Sequence, residues 1–289
     1  MILSPICAPA LLRPDWPAPP AVRAAFTLRA GGVSTGRYAS LNLGGHVGDA
    51  PRAVAENRRR LAAELQLPSE PLWLSQVHGT AVLAADDWMA AGGHSAAVAV
   101  HGSTAHGATA HAATANGAPP QADAAVTRRA GCVLAVLVAD CLPLLLARRD
   151  GSAVAVTHAG WRGLAAGVIE ATIAALGAGG EELLAWLGPA IGPAHFEVGE
   201  EVRDAFCRHD GRAAAAFVLN TRVRWQCDLP LLARQRLAAL GVSNVHGGDR
   251  CTYRESEAFY SYRRDGATGR MAALIWLAPR LVPPAAAPE

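Results

Sequence analysis

Near-continuous apolar runs of strand length punctuate the second half of the chain, at residues 133–138, 144–147, 153–157, 183–187 and 271–277. Runs this short, bounded by glycine, proline and charged turns such as Arg149-Asp150-Gly151, predict buried strands. Helical spacing appears elsewhere. Val54, Leu61 and Leu65 fall on one face behind a capping Asp49 and a first-turn Pro51, and Pro68 stops the segment. Residues 72–77 then read as a short strand that delivers His78 at its end. A helix is predicted over 163–176, with Leu164, Val168 and Ile173 on a similar side and Gly177 past its end. Another is predicted from Asp228 to Leu240, closed by Gly241. Strands and helices alternate irregularly, which predicts an α+β domain with mixed sheets rather than a doubly wound parallel one.

The remaining segments set the domain plan. Residues 1–22 carry prolines at 5, 9, 14, 17, 19 and 20 and read as a loosely held arm. One catalytic domain is expected over 23–280, followed by a tail at 281–289. Within it, residues 92–120 are glycine, alanine, serine and threonine, with His94, His101, His106 and His111. Such composition buries too little to order itself, so a flexible surface insertion is favoured over a metal site.

Composition narrows the chemistry. A chain of 289 residues with 51% hydrophobic content can fill a large core, and a net charge of +2 gives no field for nucleic acid or anionic membrane. All 26 basic residues are arginine, so a Schiff-base lysine is excluded. The six cysteines form no C-x-x-C pair and read as reduced thiols, pointing to the cytoplasm. No leader pattern or membrane-spanning run is visible.

Against this background His78, Cys141 and His158 stand at the ends of predicted elements. Two imidazoles and a thiolate can hold a borderline-soft metal while a fourth position stays open, the pattern of catalytic zinc. The turn between the strands before His158 and after Cys141 would bring these two side chains together. An alternative makes Cys141 a nucleophile with a histidine base, with Asp140 as orienting group; a second histidine is surplus to that scheme. Arg162-Gly163, opening a predicted helix, is a candidate anion contact, with an arginine packed over Trp161 as the other reading. The loop from Arg29 to Gly36 lacks the order of a nucleotide P-loop.

Taken together, several stretches resemble one known family, variously labelled laccase-domain polyphenol oxidases, peptidoglycan editing factors and purine nucleoside phosphorylases. They include Ser40-Leu41-Asn42-Leu43-Gly44, Glu56-Asn57-Arg58, Gln76-Val77-His78-Gly79 and Ala139-Asp140-Cys141-Leu142-Pro143. His158-Ala159-Gly160-Trp161-Arg162-Gly163, Gly188-Pro189-Ala190-Ile191-Gly192 and Tyr262-Arg263-Arg264-Asp265-Gly266 complete the pattern. The resemblance implies a four-layer α/β/β/α sandwich and zinc on His78, Cys141 and His158, with copper as the alternative ion. It implies phosphorolysis of adenosine, inosine and methylthioadenosine, with adenosine deamination as a second activity. Purine nucleosides and phosphate are then the partners. Cys141, Asp140 and Arg162 become catalytic candidates, Asp140 as proton carrier. Arg29, Asn42, Arg58 and Arg263 become substrate contacts, and an anion pocket is sought among Arg29, Arg58, Arg162 and Arg263. The rival readings are a copper polyphenol oxidase, a cysteine-nucleophile hydrolase and a peptidoglycan-precursor editing factor. Against multicopper chemistry, no two histidines stand two residues apart.

Overall fold

The structure, a computed structural model, describes residues 8–92 and 119–279. Its frame is two mixed sheets laid face to face. The five-stranded sheet runs Leu11–Leu12, Val22–Thr27, Met271–Leu277, Val133–Val138 and Leu72–Trp73. The six-stranded sheet runs Val245–Gly247, Leu183–Leu187, Leu142–Arg148, Val154–Ala159, Ala124–Thr127 and Val82–Ala84. Pairing is antiparallel within each sheet, except that Leu72–Trp73, Val245–Gly247 and Val82–Ala84 join in parallel at the edges.

The apolar runs are continuous because each central strand is buried on both faces. Leu134, Val136 and Val138 point between the sheets, where they meet Leu145, Val154 and Val156 of the opposing sheet. Val133, Ala135 and Leu137 point outward against Leu61 and Leu65 of helix Pro51–Leu65. On the far side, Leu142, Leu144 and Leu146 pack under Leu164, Ile169, Phe206 and Leu232 of the other outer helices. Helix, sheet, sheet and helix therefore stack as four layers, as the resemblance implies. A small three-stranded sheet of Glu197–Val198, Trp225–Cys227 and Phe217–Leu219 flanks the helices.

Strands 133–138, 183–187 and 271–277 lie where the pattern places them, as does the helix Leu229–Ala239 with Asp228 accepting from the Leu231 amide. Three local expectations are corrected. The predicted helix over 163–176 is two, Trp161–Ala166 and Val168–Leu176, because Gly167 between them adopts φ +100°, a left-handed value open to glycine. Asp49 does not cap its helix, whose N-cap is Ala50. The Asp49 carboxylate instead accepts from Ser34 Oγ and Asn42 Nδ2. The strand expected over 72–77 ends at Trp73, and Gln76 continues the pairing by side chain. Its amide donates to Leu137 O at 2.8 Å and accepts from Leu137 N at 2.7 Å.

The described part of the proline-rich arm is held more firmly than its composition suggests, since Leu11 and Leu12 pair with Thr27 and Phe26. The insertion's four histidines and the 281–289 tail lie outside the described residues. Among the described residues no helix is long and apolar enough to cross a membrane.

Leu145 sits fully buried between the sheets. Leu145→Ala is expected to cost about 2–5 kcal/mol by loss of transfer energy and a cavity the sheets cannot close. A urea-unfolding midpoint equal to that of the parent would show that the inter-sheet core does not carry the fold.

Candidate metal centre

The strand pair Leu142–Arg148 and Val154–Ala159 is in register so that Leu142 opposes Ala159 and Pro143 opposes His158. Cys141 leads into the first strand and His158 is the penultimate residue of the second, so their side chains meet at one end of the six-stranded sheet. His78 arrives from a separate loop with φ +60°, a left-handed conformation. The donor atoms of His78, Cys141 and His158 all lie within 4.8 Å of one another. Cys141 Sγ is 3.7 Å from His78 Nε2, and the imidazole rings meet edge to face with centroids 4.8 Å apart.

One buried carboxylate assembles this cluster. Asp123, fully buried, places Oδ1 2.8 Å from His158 Nδ1. The same carboxylate accepts the backbone amides of Val77, His78 and Gly79 at 3.2, 2.9 and 2.7 Å. Its own carbonyl accepts the His158 amide at 2.7 Å. Asp123 thus fixes both the loop that carries His78 and the ring orientation of His158, leaving Nε2 of the latter for the cluster. Burial would raise the Asp123 pKa, but His158 and the loop amides outweigh it and hold the carboxyl below its usual range.

The glycines of the His158–Gly163 stretch answer to the same packing. A Cβ on Gly160 would stand 2.8 Å from His78 Cδ2 and 3.1 Å from Cys141 Sγ. One on Gly163 would stand 2.7 Å from Gly79 O. Both positions must be bare for the His78 loop to close on the cluster.

The donors suit a metal. Zinc bonded to one thiolate and one imidazole in tetrahedral geometry sets its sulfur and nitrogen about 3.6 Å apart. The 3.7 Å between Cys141 Sγ and His78 Nε2 is close to that spacing. Burial works against the Cys141 thiolate, yet His158 and His78 beside it bring its pKa down to about 6. His158, despite burial, is raised to about 9 by that thiolate and by Asp123. The metal-free centre is therefore a thiolate–imidazolium pair whose shared proton a cation would displace.

The cluster opens into a cavity of about 790 Å³, a size typical of small-molecule sites. Its lining includes apolar Trp161, Ile191, Phe196 and Leu229 and basic His46, Arg58 and Arg270, with Arg58 lying over Trp73. Of the residues singled out by sequence, Asp140, Arg58 and Arg263 line this cavity with the three donors, whereas Arg29, Asn42 and Arg162 are not among its lining residues.

Several of these candidates are engaged by neighbouring groups. Asp140, at φ +88°, accepts from Thr252 Oγ1 at 2.6 Å and from the Arg263 amide at 2.7 Å, so both carboxylate oxygens are engaged. Arg162 lies over its neighbour Trp161, 4.5 Å from the ring centre. Arg29 donates to Ala39 O and Ser256 O and covers Tyr260, which ties two loops together. Arg263 donates to Glu197 O and lies over Phe196. Sequence reasoning passed over Asp123, Gln76, His46 and Arg270. The one visible signal for Asp123 is a lone carboxylate opening an otherwise apolar strand.

Asp123→Asn keeps the shape but loses the charge that orients His158, and is expected to weaken zinc affinity about 10–100-fold. Competition against a chelating dye checks this, and an unchanged affinity would remove Asp123 from the centre. In metal-free protein, iodoacetamide should alkylate Cys141 at a rate that holds at pH 7 and falls as the pH drops through about 6. Cys141→Ser supplies the background, and a midpoint near 9, the ordinary thiol value, would contradict the lowered pKa.

Comparison with known proteins places this geometry. The family model described as multi-copper polyphenol oxidoreductase laccase matches residues 23–278. A protein named purine nucleoside phosphorylase YfiH from Escherichia coli is 48% identical over 267 residues, spanning 92% of this chain and 98% of that one. A purine nucleoside phosphorylase of Pseudomonas aeruginosa is 49% identical over 269 residues, 93% of this chain and 98% of the other. The crystal structure of a Neisseria meningitidis protein superposes with a TM-score of 0.81 at 45% identity, covering 93% of this chain and 99% of that one. YlmD from Geobacillus stearothermophilus superposes with a TM-score of 0.75 at 30% identity, covering 93% and 96%. With its fold, its sequence and its model match in agreement, the chain belongs to the multi-copper polyphenol oxidoreductase laccase family.

Proposed function

We propose that this protein is a zinc-dependent purine nucleoside phosphorylase acting on adenosine, inosine and methylthioadenosine, with adenosine deamination as a second activity of the same site. The observation that carries the reading is the convergence of His78, Cys141 and His158 on the wall of a nucleoside-sized cavity. The names of the Escherichia coli and Pseudomonas aeruginosa relatives support the substrate class.

Zinc suits the donor set better than copper. A blue-copper centre with these ligands usually adds a weak axial methionine. Met271 is buried and accepts the Tyr260 amide on its sulfur, and Met89 packs against the inter-sheet core; neither lines the cavity. A metal held by His78, Cys141 and His158 would supply Lewis acidity to the site.

The chain's own residues do the rest. Trp161, Ile191, Phe196 and Leu229 offer apolar surface to a purine and its ribose and keep water from them. Asp123 holds the His158 ring, and Asp140 holds the turn that presents Cys141, so the donors are set before substrate arrives. In phosphorolysis an oxygen of phosphate bonds to the anomeric carbon as the glycosidic C–N bond breaks, and the base leaves with a proton. In deamination the oxygen of water bonds to the purine carbon bearing the amine, the C–N bond to that amine breaks, and ammonia leaves to give inosine.

Zinc-loaded protein incubated with adenosine is expected to give adenine and ribose 1-phosphate only when phosphate is present, and some inosine with or without it. Cys141→Ala should lose stoichiometric zinc and both activities by at least about 100-fold, the order expected when a Lewis-acid centre is removed. Full turnover by metal-free protein would favour the cysteine nucleophile. No nucleoside turnover with zinc bound would sink the enzyme reading.

A further inference from the structure

The motif Ser40-Leu41-Asn42-Leu43-Gly44 contributes no donor to the metal cluster, yet it braces two arginines that line the cavity. Leu43 O accepts both Nε and Nη2 of Arg58 at 3.1 and 2.9 Å, and the guanidinium lies 4.1 Å over Trp73. Asn42 Oδ1 accepts the Arg270 amide at 2.9 Å, and the Leu43 amide donates to Arg270 O at 3.1 Å. Gly44 is bare because a Cβ there would stand 2.8 Å from Arg270 Cγ. Two residues on, the same loop puts His46 beside both arginines.

Two guanidiniums and an imidazole are thereby gathered in the cavity lining, and burial and the two arginines hold the His46 pKa below its usual value. Among the described residues neither Arg58 nor Arg270 forms an ion pair with a carboxylate. Glu70 acts on Arg58 from a distance while bonded to Trp73 Nε1. Arg270 carries the nearest link to the metal cluster, lying within electrostatic reach of Cys141 and Asp140. Gathering like charges in a half-buried wall opposes folding, and an anion reverses that cost when it binds. Guanidiniums clamped by backbone carbonyls and an aromatic face are pre-set for a tetrahedral oxyanion.

We infer that His46, Arg58 and Arg270, held by the 42–46 loop, form the subsite for inorganic phosphate in the cavity they share with the metal cluster. This rests on the phosphorolysis reading and names the place of its second substrate. Phosphate and nucleoside then occupy the cavity together. The phosphate oxygen approaches the anomeric carbon directly, the C–O bond forms as the C–N bond breaks, and the electron pair leaves with the base.

The test uses full-length, zinc-loaded protein and the variants Arg270→Gln, Arg58→Gln and His46→Asn. Each arginine variant is expected to raise the phosphate KM about tenfold or more, with the nucleoside KM changed less than about twofold, since charge-assisted bonds to one substrate alone are lost. His46→Asn, which removes a largely exposed side chain, should raise the phosphate KM with thermal stability intact. Calorimetric titration with inorganic phosphate should weaken in parallel. Phosphate KM and phosphate binding left unchanged in all three variants would overturn the assignment, as would a rise in nucleoside KM alone. A variant that loses binding of adenosine 5′-monophosphate while keeping that of inorganic phosphate would place a nucleotide's phosphate there and also overturn it. Should the parent bind phosphate but phosphorolyse nothing, the activity reading fails, and the calorimetric comparison still decides the subsite.

Discussion

A single buried carboxylate holds together the end of the molecule that carries the His78, Cys141 and His158 cluster. Asp123 accepts three consecutive loop amides and the Nδ1 edge of His158, so a loop and a strand that share no sequence proximity are locked to one point. A buried carboxylate with these partners stays ionised, and removing any of them would leave charge uncompensated in the interior. The left-handed turn at His78 is sustained by the same bonds. The three candidate metal donors depend on Asp123 for their geometry rather than on their own strands alone.

That arrangement is affordable only because the sheets beneath it are rigid. Central strands buried on both faces form close-packed layers that do not yield to local strain. Cys141 and His158 sit where two of these strands end, and the register between them sets their separation. Gln76 extends the neighbouring sheet by side chain where the strand stops, bringing the His78 loop across the gap between sheets. Gly160 and Gly163 leave the space into which that loop closes.

The cavity that results is chemically mixed. Trp161 and Leu229 of the outer helices line it together with His46, Arg58 and Arg270 and the donor cluster. Arginines that look alike in sequence differ in setting. Arg29 donates to carbonyls and Arg162 lies over its neighbour's ring, both outside the cavity lining, whereas Arg58 and Arg270, whose guanidiniums also donate to carbonyls, line the cavity.

Local pattern was enough to locate strands 133–138, 183–187 and 271–277, because burial on both faces writes itself as an unbroken apolar run. It also marked Cys141 and His158, which stand at the ends of two such strands, and the turn between those strands implied that the two side chains meet; His78 was marked by a strand read to residue 77, which ends at Trp73. The helix break at Gly167 was not legible, because glycine within a helical pattern signals tolerance as readily as interruption. Nor was the partnership of Asp123 with residues 77–79, or of Asn42 with Arg270, for these bonds span 44 to 228 residues along the chain. Periodicity records which face of an element is buried, a property of neighbours in sequence. Which distant polar groups end up paired there follows from strand order and sheet stacking, which exist only once the chain has folded.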